Sequence, residues 1–277
     1  MQNIDKLNFL TAGRPNISST VLSGLEDLKK LNLDGMELEY VHGLRKNLEA
    51  AKEIKKIKDK NDLVLTAHGP FFINLNSFEK DKVEASINRI VDSAEQAYFS
   101  GAYSLTFHAG FYQTINKEQT YKTIAKNLKT IIKEITDKGL NIWIRPETTG
   151  KETQFGNLDE IISLSQEIDH ILPCVDFSHI HARYGGKFNT KQEFRGILEK
   201  IEKGLGKEAL RNLHMHLSGI NYSIKGEKNH LNLVDSDFNY KDLMEALNDY
   251  KVKGAIVCES PNIEKDALLM KKYYYSL

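Results

Sequence analysis

Residues 63–100 read LVLTAHGPFFINLNSFEKDKVEASINRIVDSAEQAYFS. The apolar run Leu63 to His68 ends in an imidazole and gives way to a loop. From Lys80 to Ser100 apolar residues then recur every three or four positions, with Lys and Glu on the other face. A short apolar run followed by that period predicts a strand feeding an amphipathic helix. The same unit recurs along the chain. Strand-like runs lie at Leu7 to Leu10, Gly35 to Val41, Ser104 to His108, Asn141 to Pro146, Ile171 to Phe177, Leu213 to Leu217 and Ala255 to Glu259. Helical patterns lie at Leu44 to Lys58, Lys117 to Lys138, Leu158 to Ile168, Lys191 to Leu205, Tyr240 to Tyr250 and Ile263 to Tyr274. Strands alternating with helices imply parallel pairing, and eight units in about 250 residues match a closed (β/α)8 TIM barrel of the α/β class. An open doubly wound sheet would normally carry a glycine-rich nucleotide turn after its first strand. The TAGRPN segment after Phe9 has none. No linker, repeat or low-complexity tract divides the chain, so residues 1–277 are expected to form one barrel domain.

Six runs end in residues that bind metals: TAHG at His68, FHAG at His108, RPET at Glu147, CVDFSH at Asp176 and His179, HMHLSG at His216 and CESP at Glu259. One such residue is ordinarily a hydrogen-bonded core or rim group. Six in succession are not, because strand tips hold ligands without slack and barrel chemistry is built at the carboxyl ends of strands. With the loop histidine His230 the set offers five imidazoles and three carboxylates, more than one ion can use. Imidazole-rich mixed sites suit zinc, and manganese or iron is compatible with a single position.

Composition narrows the rest. Lys plus Arg and Asp plus Glu number 38 each, so no global basic field draws in a polyanion, although bound divalent ions would add local positive charge. The start MQNIDKLNFLTAGRP lacks a secretory pattern and no run approaches a membrane span, so a cytoplasmic protein with no membrane partner is expected. Cys174 and Cys258 lie in apolar runs and read as buried, inert thiols.

The segments TAHGPFFINLNS, FHAG, ETTG, CVDFSHIHARYGG, MHL and ESP, in this order and spacing, resemble the endonuclease IV family of apurinic/apyrimidinic endonucleases along nearly the whole chain. The resemblance implies a (β/α)8 barrel holding three zinc ions. It implies that His68 and His108 bind the first ion, that Glu147 bridges first and second, that Asp176, His216 and Glu259 complete the second, and that His179 and His230 hold the third. Two positions depart from the family pattern. Lys228 stands where the family places an Asp, leaving Glu227 as the nearby carboxylate for the third ion, and HLSG replaces HLND after His216. The expected cofactor is therefore two or three zinc ions, with manganese compatible with one site.

Sugar isomerases and epimerases share the superfamily and use a Glu, Asp, His, Glu set on strands five to eight. Glu147, Asp176, His216 and Glu259 fit either class, whereas His68, His108 and His230 make sense only with further ions. Loops add nucleic-acid signals. Phe71, Phe72 and Asn74 follow a ligand directly and suit a wedge at a damaged nucleotide, or else cap the barrel mouth. Arg183 and Tyr184, in a loop with paired glycines, suit phosphate and base stacking. The implied activity is hydrolysis of the phosphodiester 5′ to an abasic site in duplex DNA by a monomeric enzyme. Glu147 and Glu259 would orient the attacking hydroxide, and His179 would help bind the phosphate. His42, His170, His181 and His214 read as structural or surface residues, with His214 sharing a strand face with His216.

Overall fold

The computed structural model describes residues 4–277, so residues 1–3 of the expected domain lie outside the described residues. Eight parallel strands form one sheet: β1 (Leu7–Ala12), β2 (Gly35–Glu39), β3 (Val64–His68), β4 (Ser104–Phe107), β5 (Trp143–Pro146), β6 (Cys174–Asp176), β7 (Leu213–Leu217) and β10 (Gly254–Cys258). They run in the order β5-β4-β3-β2-β1-β10-β7-β6. Parallel bridges from Ile144 to Ile171 and from Glu147 to Cys174 join β5 to β6. The result is a nearly closed TIM barrel, as the alternating pattern requires. Close approach of strands is built into the sequence at Gly254, where φ is +124° and a Cβ would sit 1.9 Å from the Leu213 carbonyl oxygen.

Helices α1 (Val21–Lys30), α2 (Leu48–Asn61), α3 (Lys80–Phe99), α4 (Lys117–Asp137), α5 (Leu158–Glu167), α7 (Lys191–Leu205), α9 (Tyr240–Asp249) and α10 (Glu264–Tyr274) cover the barrel. Their apolar stripes meet the outer strand faces in one large buried cluster. Capping residues mark their starts: Thr190 with Glu193 and Asn157 with Glu160 form reciprocal side-chain to backbone bonds that satisfy the first-turn N–H groups.

Several elements were not expected. Helix α1 follows the Ser/Thr-rich turn at residues 17–20, and its cap is a Thr20–Ser23 box. Helix α6 (Phe177–Arg183) begins directly at the end of β6, so the run expected as strand through Phe177 stops at Asp176, whose side chain caps the helix by accepting from the His179 N–H at 2.7 Å. An antiparallel hairpin, β8 (Gly219–Ser223) and β9 (Gly226–Leu231), stands above β7 outside the barrel sheet. The one-turn helix α8 (Lys207–Leu210) precedes β7. Cys174 and Cys258 are buried and unbridged, as expected. No helix among the described residues is long and apolar enough to cross a membrane.

Candidate metal centre

Strand geometry gathers the ligand candidates at one end of the barrel. Side chains alternate along a strand, so a residue at the last inward position points over the lumen. Glu147, one residue past β5, sits at the middle of the group and is 1% exposed. His68 Nε2 lies 3.3 Å from its Oε2, and His108 Nε2 lies 3.3 Å from its Oε1. His179 Nδ1 is 3.2 Å and His216 Nδ1 3.4 Å from that same Oε1. Glu259, past β10, is 3.4 Å from His216 Nδ1. Asp176 lies 3.2 Å from His179 Nδ1.

These side chains form overlapping groups whose donor atoms lie within 4.8 Å of one another: His68, His108 and Glu147; Glu147, Asp176 and His179; His68, His216 and Glu259; and His179, Glu227 and His230. The last group contains the carboxylate that replaces the absent Asp at 228. Glu227 reaches His179 Nε2 at 3.5 Å because Gly150 stands beneath it, where a Cβ would come within 2.7 Å of the Glu227 side chain.

Most of the imidazoles have their tautomer fixed by backbone. His68 Nδ1 donates to the Gly69 carbonyl at 2.7 Å, His179 Nδ1 to Thr148 at 3.0 Å and His230 Nδ1 to Glu259 at 3.2 Å. Each thereby turns Nε2 toward the neighbouring ligands, as metal-binding histidines require. Both Glu147 oxygens, Asp176 Oδ2, Glu259 Oε2 and His216 Nδ1 are shielded from solvent without a hydrogen-bond partner. Buried charged atoms left this way are costly unless a cation or proton satisfies them, so this donor set fits divalent metal ions.

The electrostatics agree. Burial works against charge on every group, yet Glu147, with Glu39 and Glu37 behind it, raises His68 to about 10. Against the same penalty, His108 and His216 hold Glu147 well below the carboxylate range, while Asp176, Glu147 and Glu227 hold His179 well above the imidazole range. Burial alone dominates at Asp176, pushed up to about 6. The carboxylates thus favour positive charge on His68, His179 and His216, a role that metal ions would take over from protons.

A cavity of about 350 Å³ opens over the group, lined by His68, His108, Glu147, His179, Glu227, His230 and Glu259 together with Ala12, Glu39, Val41 and Phe71. Two of its acidic neighbours escaped the sequence reading. Glu37 and Glu39 sit two apart in GMELEY, hence on one strand face, and that spacing of acids in an apolar strand was the available signal. Glu37 is fully buried below the cavity. Glu39 lines the cavity wall, and burial together with the Glu37 charge pushes its carboxyl up to about 8.

The loop residues divide. Phe71 and Phe72 are 59% and 53% exposed at the mouth, with Phe71 6.1 Å from the His68 ring and the Arg89 guanidinium over Phe72. Tyr184 is exposed and packs on Phe188. Asn74 folds its own loop, its Oδ1 accepting from the Asn76 N–H. Arg183 corrects the expectation of a phosphate-binding loop. It ends helix α6, is 6% exposed, and donates to Thr149 Oγ1 at 2.9 Å and to the carbonyls of Thr149, Lys151 and Gln154. A guanidinium buried in the protein and bonded to four acceptors is turned away from any phosphate at the surface. His214 and His181 are buried and structural, His181 bridging the Lys187 carbonyl and Asp237.

Barrel and site together define a (β/α)8 protein with side chains able to hold metal ions clustered at its strand ends. The chain belongs to the xylose isomerase-like TIM barrel family, whose model matches residues 25–273. Among similar sequences, an uncharacterized protein of Methanocaldococcus jannaschii is 45% identical over 98% of both chains. A probable endonuclease 4 of Aquifex aeolicus is 28% identical over 65% of this chain, and the match spans only 64% of that relative. Two solved structures share the fold: endonuclease IV from Thermus thermophilus, with a TM-score of 0.73, 15% identity and coverage of 98% of this chain and 100% of that one, and a D-tagatose 3-epimerase-like protein, with 0.72, 20%, 96% and 97%.

Proposed function

We propose that this chain is a zinc-dependent endonuclease that hydrolyses the phosphodiester 5′ to an abasic site in duplex DNA, leaving a 3′-hydroxyl. The observation that carries this reading is the third ligand group, His179, Glu227 and His230, beside the two groups that share Glu147. A sugar isomerase or epimerase needs only the Glu147, Asp176, His216 and Glu259 set. Two or three ions fit the ligand count, with manganese compatible with one position. When bound, such ions lower the pKa of water into the neutral range and neutralise charge on the attacked phosphate and the departing oxygen.

The chain's residues supply the rest. Glu147 offers both oxygens to different imidazoles and holds the groups together. Glu259 accepts from and orients the attacking water at the cavity wall. His179 and His230, which line the cavity, face the phosphate. The exposed Phe71 and Phe72 rings border the mouth where an extruded, baseless sugar must enter, and a nucleotide without a base is the least costly to extrude. Arg183 has no part in this binding, and Tyr184 is the exposed aromatic that remains in its segment. The protein acts here as a monomer in the cytoplasm.

The test is incision of a duplex bearing one abasic-site analogue, with zinc or manganese supplied, beside metal analysis of the purified protein. Nicking at the analogue and two or three zinc ions per chain are expected. Turnover of a ketose with one manganese ion and no incision would replace this reading with the epimerase one.

A further inference from the structure

His216 is held differently from the other imidazoles of the centre. His68, His179 and His230 each have Nδ1 on a neighbouring backbone carbonyl, although His179 Nδ1 also lies 3.2 Å from Glu147 and Asp176. His216 has the reverse arrangement. Its Nδ1 faces Glu147 and Glu259 at 3.4 Å each, and its Nε2 lies 2.9 Å from Glu37 Oε1, an ion-pair contact in which neither buried atom has a hydrogen-bond partner of good geometry. Glu37 reaches across the lumen from β2 to β7 and is itself fixed. Its Oε2 accepts from Thr66 Oγ1 at 2.7 Å and lies 2.8 Å from His214 Nε2, while His214 Nδ1 meets the Ser104 hydroxyl at 2.9 Å. All these groups are 0% exposed, so no water competes for them.

We infer that Glu37 is the positioning residue for His216: its carboxylate holds the Nε2 proton and makes Nδ1 the atom that His216 offers to a cation between Glu147 and Glu259. A carboxylate behind a metal-binding imidazole sets its tautomer and raises its basicity. Here that carboxylate stands behind one ligand, whereas Nδ1 of His68, His179 and His230 meets a backbone carbonyl of lower basicity. This assignment rests on the metal-dependent reading above, but not on the identity of the substrate.

Two measurements test it. In zinc-loaded wild-type protein, long-range ¹H–¹⁵N correlation of the imidazoles should give His216 as the Nε2–H tautomer and His68, His179 and His230 as Nδ1–H. An Nδ1–H tautomer at His216 overturns the inference outright. In Glu37→Gln, whose amide can either accept or donate, chelator competition should show one zinc weakened about 10- to 100-fold. Thr66→Val, which removes only the hydroxyl brace, should change zinc affinity less than about 3-fold. A Glu37→Gln protein that melts earlier without zinc yet binds all its zinc with wild-type affinity would show a merely structural role and overturn the inference. If Glu37→Gln does not fold, the wild-type tautomer decides alone. Failure of abasic-site incision with the expected tautomer would remove the nuclease reading and leave this one standing. Normal incision with the opposite tautomer would do the reverse.

Discussion

Six ligand candidates stand at or just past the ends of barrel strands, His179 stands on α6, and two, Glu227 and His230, stand on the β8–β9 hairpin. Six of the eight barrel strands are laddered to neighbours on both sides, and β5 and β6 are laddered on one side and bridged on the other, whereas β9 pairs only with β8. The Glu147 and His216 side chains are wholly enclosed, while that of Glu227 is 18% exposed. The hairpin is tied down by the Glu227 N–H to the Gly150 carbonyl at 3.0 Å and by His230 Nδ1 to the Glu259 carbonyl at 3.2 Å. Ligand rigidity is therefore graded across one centre: barrel positions meet their ordering cost in folding, and hairpin positions retain part of it for metal binding.

The grading fails if the barrel position is not dominant, and Glu147 is where that shows first. Glu147→Gln should lower incision at least about 100-fold, beyond the 10- to 100-fold typical of residues behind the ligands, because a neutral amide cannot join cations as a carboxylate does. Near-normal incision at matched metal loading would remove Glu147 from the bridging position. Arg183→Ala bears on the ground beneath the hairpin, since its guanidinium gathers the carbonyls of residues 149–154. Loss of those bonds should cost roughly 3 kcal/mol in urea unfolding with little change in affinity for abasic DNA in the folded state. A large affinity loss with unchanged stability would restore Arg183 as a phosphate ligand.

Smaller effects are expected on the hairpin. Glu227→Ala should lower the metal count by about one, and mild chelation of the wild type should remove that same ion first, while His68 and His108 stay loaded. Full metal content and full activity in the variant would mean that the hairpin carries no ion. Gly150→Ala should weaken only this outer ion, by about 10-fold, because the added methyl drives the Glu227 side chain away from His179. Isothermal titration with zinc reads the difference; equal weakening of all ions would mean that the barrel itself is disturbed.

The same contrast explains what the sequence could disclose. Apolar runs that stop at His68, His108, Glu147, Asp176, His216 and Glu259 are legible because a buried parallel strand has one composition and its tip another. The hairpin segment INYSIKGEKNHL is solvated along much of both strands and lacks a period, so nothing announced its pairing, although Glu227 was legible as the nearest carboxylate to His230. Helix α6 is seven residues, too short for a helical period to emerge, and its end was read as a glycine-rich loop. Arg183 was misplaced for that reason. Glu37 was hidden by position: in the middle of an apolar strand a carboxylate gains meaning only from His214 and His216 on β7, far along the chain.

The join between β5 and β6 is the most sparsely bonded part of the barrel, made by parallel bridges at Ile144 and at Glu147. Glu147 extends from one side of it and Asp176 from the other. An ion shared by these two carboxylates would span the gap and give the barrel the circumferential continuity that its main chain provides only thinly there. Metal loading should then slow amide hydrogen exchange at Thr148 and Leu172, which bond across this join, more than at the fully laddered β1–β10 pair. Loss of metal would in turn loosen the hoop at the place where its chemistry is assembled.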